Sequence, residues 1–300
     1  MDAVYGVISA DLVEVAPRAL QFSPLVPASA ALEEQADGSL TSLVMHAPGG
    51  VIERRYVMAQ GLRALGVGTP FTVLAHKKRG GARLYDELSA FGCTVDDASR
   101  HHHRICRGVR PPTVAGLDDA IAAGAPRLVQ AIGLWSQPGI FSWDRVDPGS
   151  QLLIEQLPQL SGRGADLGCG IGVLSRAVLA QPKVQHMTLF DIDRRAVEAA
   201  RRNVDLARAT FRWADVLASQ GGQDPFDFVV TNPPFHDGGA EDQSLGRAFI
   251  TKAAAMLRSR GVCLLTANRH LPYEAVMKPL FSQITLLAQE RGYKIYAAVK

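Results

Sequence analysis

The sequence predicts an α/β fold in which parallel strands alternate with helices, arranged as two successive domains. Three observations support this prediction. The chain has 300 residues, about twice the length of an ordinary domain. Its composition, 47% hydrophobic and 20% charged, is that of a globular protein that can build a core without disulfides or metals. Short apolar segments alternate with helical patterns along the chain, most clearly in its second half.

The second half predicts a doubly wound parallel sheet of seven strands. The expected strands are residues 165–167, 187–190, 210–213, 226–231, 262–267, 284–288 and 293–299. The expected helices are residues 172–179, 194–207, 245–257 and 273–281. Segment 226–231 is nearly all apolar, as a central parallel strand buried on both faces should be. Because only Gly292 and its neighbours separate the last two strands, we expect these two to pair antiparallel.

The first half shows the same alternation less clearly. Its expected strands are 43–46, 71–75 and 94–95, and its expected helices are 51–65 and 84–91. A stretch containing proline and glycine follows, and we place the domain boundary at its end. The predicted domains are therefore 1–127 and 128–300. The similar patterns suggest a duplication, although the halves share no obvious motif.

Several classes of protein are excluded by what the sequence lacks. Its cysteines are few and form no Cys-x-x-Cys pair, which argues against a zinc ribbon or a redox dithiol and favours a reducing compartment; they are Cys93, Cys106, Cys169 and Cys263. The N-terminal residues lack the pattern of a signal peptide, and no apolar run reaches 18 residues. We therefore expect a cytoplasmic protein without a membrane partner.

A glycine loop is predicted between the first strand and first helix of the second half. It reads Asp166-Leu167-Gly168-Cys169-Gly170-Ile171-Gly172, and glycines let a backbone turn tightly and approach a ligand. The next strand ends in Asp191, about 20 residues on, where an acid can accept both hydroxyls of a ribose. Nicotinamide enzymes and methyl-donor enzymes both use this arrangement, so the loop alone does not choose between them.

Two later features favour a methyl donor and an amine substrate. Asp215 follows the third strand, where it can hold an adenine amino group. Asn232-Pro233-Pro234-Phe235 follows the fourth strand, and its two prolines fix the backbone and remove two N–H donors. The side-chain carbonyl of Asn232 and a backbone carbonyl near Pro233 can accept the hydrogens of a planar NH₂ group, while Phe235 stacks on its ring. A rigid loop with a buried phenylalanine is the alternative interpretation.

These residues, from about Trp135 to Lys300, resemble the class I S-adenosylmethionine-dependent methyltransferases with an Asn-Pro-Pro-Phe motif. The chain is more closely similar to the ribosomal RNA guanine-N2 methyltransferases of the RsmC and RlmG type. The segments that carry the closer resemblance are 138–142, 147–157, 268–273 and 232–239, the last reading NPPFHDGG. The resemblance implies two tandem Rossmann-like methyltransferase domains. The C-terminal one binds S-adenosylmethionine and substrate, and the N-terminal one is a degenerate copy that helps bind RNA.

The resemblance also implies site residues. Gly168 and Gly170 would line the methionine moiety, Asp191 the ribose, Asp215 the adenine, and 232–235 the guanine amine. The full set expected to bind the cofactor is Phe141, Ser142, Asp166, Gly168, Cys169, Gly170, Asp191, Ile192, Asp215, Val216 and Asn232. The expected catalytic residues are Asn232, Pro233, Pro234 and Phe235. In the N-terminal domain, the nearest candidate for a cofactor loop is 47–50, and its composition makes it a poor one.

The implied reaction is direct methyl transfer to a guanosine N2 amine in ribosomal RNA, with the small-subunit RNA expected over the large. A guanine amine is nearly non-basic, so we expect positioning by Asn232 and the Pro233 backbone, and no cysteine nucleophile. The target base must leave the duplex to reach such a pocket. Two alternatives remain open: a protein-glutamine N5 methyltransferase, and a non-catalytic S-adenosylmethionine-binding ribosome-assembly protein.

The densest basic cluster lies in the first half. Eight Lys or Arg and four His fall between positions 76 and 110, although the net charge of the chain is only +3. This cluster either contacts ribosomal RNA phosphates or forms a solvated face. The adjacent residues 101–103 are all histidine, but three neighbouring side chains do not easily converge on one ion, so we expect no metal. A two-domain chain of this kind is expected to be a monomer.

Overall fold

The computed structural model describes residues 1–218, 224–234, 236–237, 240–241 and 243–300. The chain divides into two compact units, Met1–Pro126 and Arg127–Lys300. The division lies one residue from the boundary expected from the sequence.

In the N-terminal unit, all of which is described, a six-stranded sheet carries three α-helices. In chain order its elements are β1 (Asp2–Tyr5), β2 (Leu20–Phe22), β3 (Ser42–His46), α1 (Val51–Ala64), β4 (Pro70–His76), α2 (Leu84–Ala90), β5 (Val95–Arg100), β6 (His103–Val109) and α3 (Leu117–Gly124). The sheet order is β2-β1-β3-β4-β6-β5, with β6 antiparallel to both of its neighbours.

The C-terminal unit begins with a hairpin and a capped helix before its main sheet. Its first elements are β7 (Arg127–Val129), β8 (Leu134–Ser136), α4 (Pro148–Glu155), β9 (Gly162–Leu167), α5 (Val173–Leu179), β10 (Val184–Asp191), α6 (Arg194–Asn203) and β11 (Ala209–Trp213). The remaining elements are β12 (Phe226–Thr231), β13 (His236–Asp237), β14 (Ala240–Glu241), α7 (Gln243–Met256), β15 (Leu257–Asn268), α8 (Glu274–Met277), β16 (Gln283–Glu290) and β17 (Tyr293–Val299).

Among the described residues of this unit, the main sheet has seven strands in the order β11-β10-β9-β12-β15-β17-β16. Strands β11 to β15 pair in parallel, and β17 is antiparallel to both β15 and β16. The predicted doubly wound sheet with an antiparallel end is therefore confirmed. Its central strands are nearly continuous apolar runs because helices cover both faces, as in β12, where Val229 and Val230 are fully buried.

The two units share one strand topology. If the edge strand β11 is set aside, the strands of the C-terminal sheet follow the same order and directions as those of the N-terminal sheet. In this correspondence β3 matches β12, so the loop 47–50 takes the place of the Asn-Pro-Pro segment. The segment that follows β1 takes the place of the glycine loop. The sequence alone had offered 47–50 as the nearest candidate for this loop.

Several element bounds differ from those expected. The helix predicted at 273–281 is one turn, Glu274–Met277, and the strand predicted at 262–267 extends over Leu257–Asn268. Strands β1, β2 and β6 and helix α4 were not expected. Strand β6 contains Arg104 and Arg107, and this charge conceals its strand pattern in the sequence.

Candidate functional site

A cavity of about 440 Å³ lies at the carboxyl ends of the central strands of the C-terminal unit. Its position is the one at which open α/β sheets bind ligands, next to the strand where the chain order reverses. Here β9 is that strand, with β10 on one side and β12 on the other. Its described lining residues are Phe141, Gly168, Gly170, Phe190, Asp191, Ile192, Ala214, Asp215, Val216, Leu217, Asn232, Pro233, Pro234, Leu245 and Phe249.

The glycine loop joins β9 to α5 along one wall of this cavity. Gly168 and Gly170 have φ of +74° and +52°, a left-handed backbone that favours glycine. The N–H of Gly168 donates to the carbonyl of Phe190 at 2.9 Å, which ties the loop to the end of β10. A Cβ atom built on Gly170 would meet no described atom within 4 Å, so open space lies in front of this residue. A ligand can approach the backbone there.

Asp191 lies at the end of β10, beside the loop. Its Oδ2 accepts the N–H of Gly170 and its Oδ1 accepts the N–H of Asp193, each at 2.8 Å. Burial raises the pKa of this carboxyl to about 6, and the hydrogen bonds from the backbone partly oppose that rise. Each oxygen retains a lone pair that can accept a hydroxyl group.

Asp166 is fully buried near the end of β9. Its Oδ2 accepts the hydroxyl of Ser175 at 2.7 Å, whereas its Oδ1 has no hydrogen-bond partner among the described residues. Burial, assisted by the nearby charge of Asp191 and opposed by the hydrogen bonds from Ser175, raises the pKa of Asp166 to about 7. Although it was expected to bind the cofactor, Asp166 is not among the described residues that line the cavity.

The apolar wall of the cavity is formed by residues that follow β10 and β11. Ile192 and Val216, which were expected to bind the cofactor, line it together with Phe190 and Leu217. Asp215 also lines this wall, and its Oδ1 accepts the N–H of Leu217 at 2.9 Å. A flat apolar slot with one carboxylate at its edge can hold an aromatic ring that carries an amino group.

Asn232 follows β12 on the opposite wall. Its Nδ2 donates to Oδ2 of Asp147 and to the hydroxyl of Ser150, both at 2.9 Å. A carboxylate only accepts hydrogen bonds, so the nitrogen of the amide must be the atom that faces Asp147. The carbonyl oxygen Oδ1 is buried and has no partner among the described residues. The carbonyl oxygen of Asn232 is therefore a hydrogen-bond acceptor in a fixed position, and no described residue donates to it.

Asp147 is itself fixed by its position at the start of α4. It is the N-cap residue, accepting the N–H of Ser150 at 2.9 Å, and Pro148 occupies the first turn. The side chain of Tyr293 lies near Asp147, and burial together with this carboxylate raises the pKa of the tyrosine. On the other side, the hydroxyl of Thr231 donates to the carbonyl of Leu167 at 2.7 Å and ties the end of β12 to β9.

Most residues predicted for the site are brought together in the cavity. Those that line it are Phe141, Gly168, Gly170, Asp191, Ile192, Asp215, Val216, Asn232, Pro233 and Pro234. Phe141 is 66% exposed, which is unusual for a phenylalanine. Ser142, with φ of +49°, and the buried Cys169 are not among the described lining residues. Phe235 lies outside the described residues.

Sequence reasoning missed other members of the site. Phe190, Leu217, Leu245 and Phe249 line the cavity, but in the sequence they look like ordinary core residues. Asp147 and Ser150 were also missed as partners of Asn232. An Asp-Pro pair at a helix start signals a cap, yet nothing local shows that the cap reaches a loop 85 residues away.

Thiol and metal chemistry find no support in the described part of the chain. Burial raises the pKa of the Cys169 thiol well above its usual value and that of Cys263 to about 12, so neither is a ready thiolate. No group of three or more His, Cys, Asp or Glu side chains among the described residues could hold a metal ion. Among the same residues, no helix reaches the length and hydropathy needed to cross a membrane.

In the N-terminal unit, two parts of the basic cluster meet. The turn at 77–79 exposes Lys77 and Lys78, and the N–H of Lys77 donates to the carbonyl of His102 in the β5–β6 hairpin turn at 2.8 Å. The rings of His76 and His103 lie 5.2 Å apart at the same end of the sheet. We call residues 76–79 and 101–103 the basic end of this unit.

The chain matches a protein-family model and is similar to curated proteins of known name. The methyltransferase small domain family model matches residues 131–297. "Ribosomal RNA small subunit methyltransferase C" of Shewanella sp. MR-4 is 40% identical over 164 residues, covering 53% of this chain and 46% of the relative. The protein of the same name from Shewanella sp. W3-18-1 is 39% identical over 170 residues, covering 55% and 48%. The match thus spans about half the length of these curated relatives.

One solved structure is similar over most of the chain. It is the T. thermophilus 16S rRNA N2-guanine methyltransferase RsmC in complex with AdoMet and guanosine. The similarity covers 90% of this chain and 76% of that one, with a TM-score of 0.75 and 25% sequence identity. The likeness therefore extends through both compact units.

Proposed function

The chain belongs to the methyltransferase small domain family, and we propose that it transfers a methyl group from S-adenosylmethionine to the N2 amine of a guanosine in small-subunit ribosomal RNA. One observation carries this proposal: the buried Oδ1 of Asn232 is held as a hydrogen-bond acceptor at the cavity. Burying a hydrogen-bond acceptor that has no donor costs free energy, and the exocyclic NH₂ group of a guanine can supply that donor.

The cavity fits S-adenosylmethionine by the chemistry of its walls. The apolar slot beside Asp215 suits adenine, and Asp191 offers lone pairs to the ribose hydroxyls. The methionine moiety would pass the glycine loop, where Gly170 leaves open space. When bound, the group supplies a methyl carbon attached to a positively charged sulfur.

The chain's own contribution is positioning and hydrogen bonding. Because a guanine amine shares its lone pair with the ring, a hydrogen bond from this amine to Asn232 favours a nitrogen whose lone pair is free to react. Pro233 and Pro234 lack N–H groups and so present no competing donor at this wall. Well-oriented reactants can gain about 7–11 kcal/mol from such positioning.

The substrate class rests on the relatives. The curated relatives are named for small-subunit ribosomal RNA, and the T. thermophilus structure holds guanosine together with AdoMet. A base inside a duplex cannot enter a cavity of this kind, so the target guanosine is flipped out or already single-stranded. Since the substrate is ribosomal RNA, the proposed place of action is the cytoplasm, and the proposed active form is a monomer.

The N-terminal unit is proposed to be a degenerate copy that binds RNA but not the cofactor. In its loop 47–50, which corresponds to the Asn-Pro-Pro segment, the carbonyls of Pro48 and Gly49 accept hydrogen bonds from the buried Arg54 at 3.3 and 2.7 Å. These acceptors are therefore occupied within the protein. Titration of the 300-residue chain should accordingly reveal one bound S-adenosylmethionine per chain.

The basic end of the N-terminal unit is proposed to contact RNA phosphates. If it does, the logarithm of RNA affinity should fall steeply with the logarithm of salt concentration. Changing Lys77, Lys78 and Arg79 to Glu should reduce that slope by about 2 to 3, because each phosphate contact contributes roughly 0.7–0.9. An unchanged slope would show that this surface is merely solvated.

Transfer of a labelled methyl group tests the proposed activity. Separated small subunits, large subunits, their naked RNAs and a protein extract would each be offered with labelled S-adenosylmethionine. We expect label in RNA of the small subunit. Label only in protein would instead support a glutamine methyltransferase, and tight cofactor binding without any transfer would support a non-catalytic role.

A further inference from the structure

The carboxylate of Asp147 and the hydroxyl of Ser150 form a latch on the side chain of Asn232. Both accept hydrogen bonds from Nδ2 of Asn232 at 2.9 Å, and both residues are buried. An amide nitrogen has two hydrogens, so the latch uses both of them. The amide plane is then fixed, and its oxygen is directed away from Asp147 and Ser150.

We propose that Asp147 and Ser150 are positioning residues, which act through Asn232 by keeping its carbonyl oxygen toward the substrate amine. This inference rests on the proposed function of the cavity. Without the latch, the amide can rotate by about half a turn and present a donor instead of an acceptor. A donor facing an NH₂ group repels it, so the latch decides whether the site accepts an amine.

The charge of Asp147 adds a second effect. A carboxylate that accepts a hydrogen bond from an amide polarises it and increases the electron density on the amide oxygen. The oxygen of Asn232 is therefore a stronger acceptor than a free amide would be. The N–H of Ser150 donates to the same carboxylate and holds it in place.

The substitution Asp147→Asn tests the latch with little damage to the fold. Asparagine caps a helix about as well as aspartate, so α4 keeps its start. The new amide, however, has no charge. Because it carries both a donor and an acceptor, it can form a hydrogen bond with either end of the Asn232 amide. By analogy with residues that orient the ligands of a metal ion, we expect kcat to fall about 10- to 100-fold, while the dissociation constant for S-adenosylmethionine stays within about twofold. Ser150→Ala should have a smaller effect in the same direction.

A double-substitution cycle distinguishes positioning from a general structural role. If Asp147 acts through Asn232, then Asp147→Asn should change the residual kcat of the Asn232→Ala variant by less than about twofold. Asp205→Asn is the matched control, because Asp205 also caps a helical turn, accepting the N–H of Ala207 at 3.0 Å. The control should keep full activity. An equal loss from Asp147→Asn in both backgrounds would overturn the proposal.

Hydrogen exchange at the Asn232 side-chain amide tests the latch without any substrate. In the ¹⁵N-labelled protein, the two Nδ2 hydrogens should exchange slowly, and Asp147→Asn should accelerate them at least about tenfold. Equal exchange in both proteins would overturn the latch. If the wild-type protein methylates no RNA, the proposed function fails, and this exchange measurement still decides on the latch by itself.

Discussion

The backbone N–H of Gly170 donates a 2.8 Å hydrogen bond to Oδ2 of Asp191, which lies 21 residues further along the chain. This bond joins the glycine loop after β9 to the end of β10. The two features that the sequence offers separately, a flexible loop and an acid, are therefore one rigid wall of the cavity. The proposed ribose site depends on that connection.

The first prediction concerns this wall. Asp191→Ala removes the proposed acceptor for the ribose and also the bond that holds Gly170. We expect the affinity for S-adenosylmethionine to fall at least about tenfold, since a hydrogen bond to a charged group is typically worth about 1.5–3 kcal/mol and the loop loosens as well. Calorimetric titration measures it. Affinity within threefold of the wild type would show that Asp191 does not bind the ribose.

The second prediction is the pH dependence of cofactor binding. Burial raises the pKa of Asp191 to about 6, so this carboxyl takes up a proton as the pH falls below that value. The ionised form is the better acceptor for two hydroxyls. Affinity for S-adenosylmethionine should therefore be constant above about pH 7 and fall up to tenfold per unit below about pH 6. Asp191→Asn should bind weakly at every pH, without this step.

The third prediction concerns Asn232. Asn232→Ala removes the proposed acceptor for the amine, so kcat should fall by about 10²- to 10³-fold, as when a preorganised hydrogen-bonding group is lost from an active site. The affinity for S-adenosylmethionine should stay within about tenfold, because the cofactor is held mainly by the other wall. Single-turnover methyl transfer and calorimetry measure the two effects separately. Retained turnover would remove Asn232 from the mechanism.

The fourth prediction links Asp166 to stability. Its pKa is raised from 3.8 to about 7 by burial, so the protonated form is favoured in the folded state. The resulting stabilisation is fully present below pH 3.8 and is lost as the pH rises through about 7. Relative to Asp166→Asn, which cannot ionise, the wild type should lose on the order of a few kcal/mol between pH 4 and 8. Urea unfolding at several pH values measures the difference.

A matched control for this measurement is Asp224→Asn. Asp224 is exposed and pairs with Arg163 at 3.3 Å. Replacing it should change the free energy of unfolding by less than about 1 kcal/mol at any of these pH values. If Asp166→Asn behaves in the same way, Asp166 is ionised without cost in the folded protein.

The fifth prediction tests the N-terminal unit. Arg54 is almost fully buried, and its guanidinium forms two 2.7 Å hydrogen bonds with the carboxylate of Glu87. Glu87→Ala leaves the guanidinium without its counter-charge, which typically costs about 3–5 kcal/mol. The midpoint of thermal unfolding should fall accordingly, and Glu34→Ala on the exposed surface serves as the control. A change below about 1 kcal/mol would show that the two backbone carbonyls suffice for Arg54.

The sequence predicts the parts of the molecule that depend on local pattern. Strands such as β12 are visible because burial on both faces requires a continuous apolar run. Gly168, Asp191 and Asn232 could be placed at one sheet edge because each follows a parallel strand. The four-residue helix α8 and the charged strand β6 were missed or misjudged, since short elements take their form from tertiary packing more than from their own residues.

Contacts between distant segments could not be predicted. The pairing of Asp147 with Asn232 joins a helix cap to a loop across 85 positions, and neither residue carries a sign of the other. The strand-by-strand correspondence of the two units was equally hidden, although the resemblance implied two tandem domains. The sequence suggested a duplication, but the equivalence of the loop 47–50 to the Asn-Pro-Pro segment follows only from the strand order.

Nucleoside analysis of methylated RNA tests the central claim most directly. Small-subunit particles from a strain that lacks this methylation would be incubated with the protein and S-adenosylmethionine, digested to nucleosides and separated by mass and retention time. The proposed function predicts N2-methylguanosine at close to one per particle, and at least about 100 times slower formation with Asn232→Ala. Methylation on a different atom, or no RNA methylation from a protein that binds the cofactor, would contradict it.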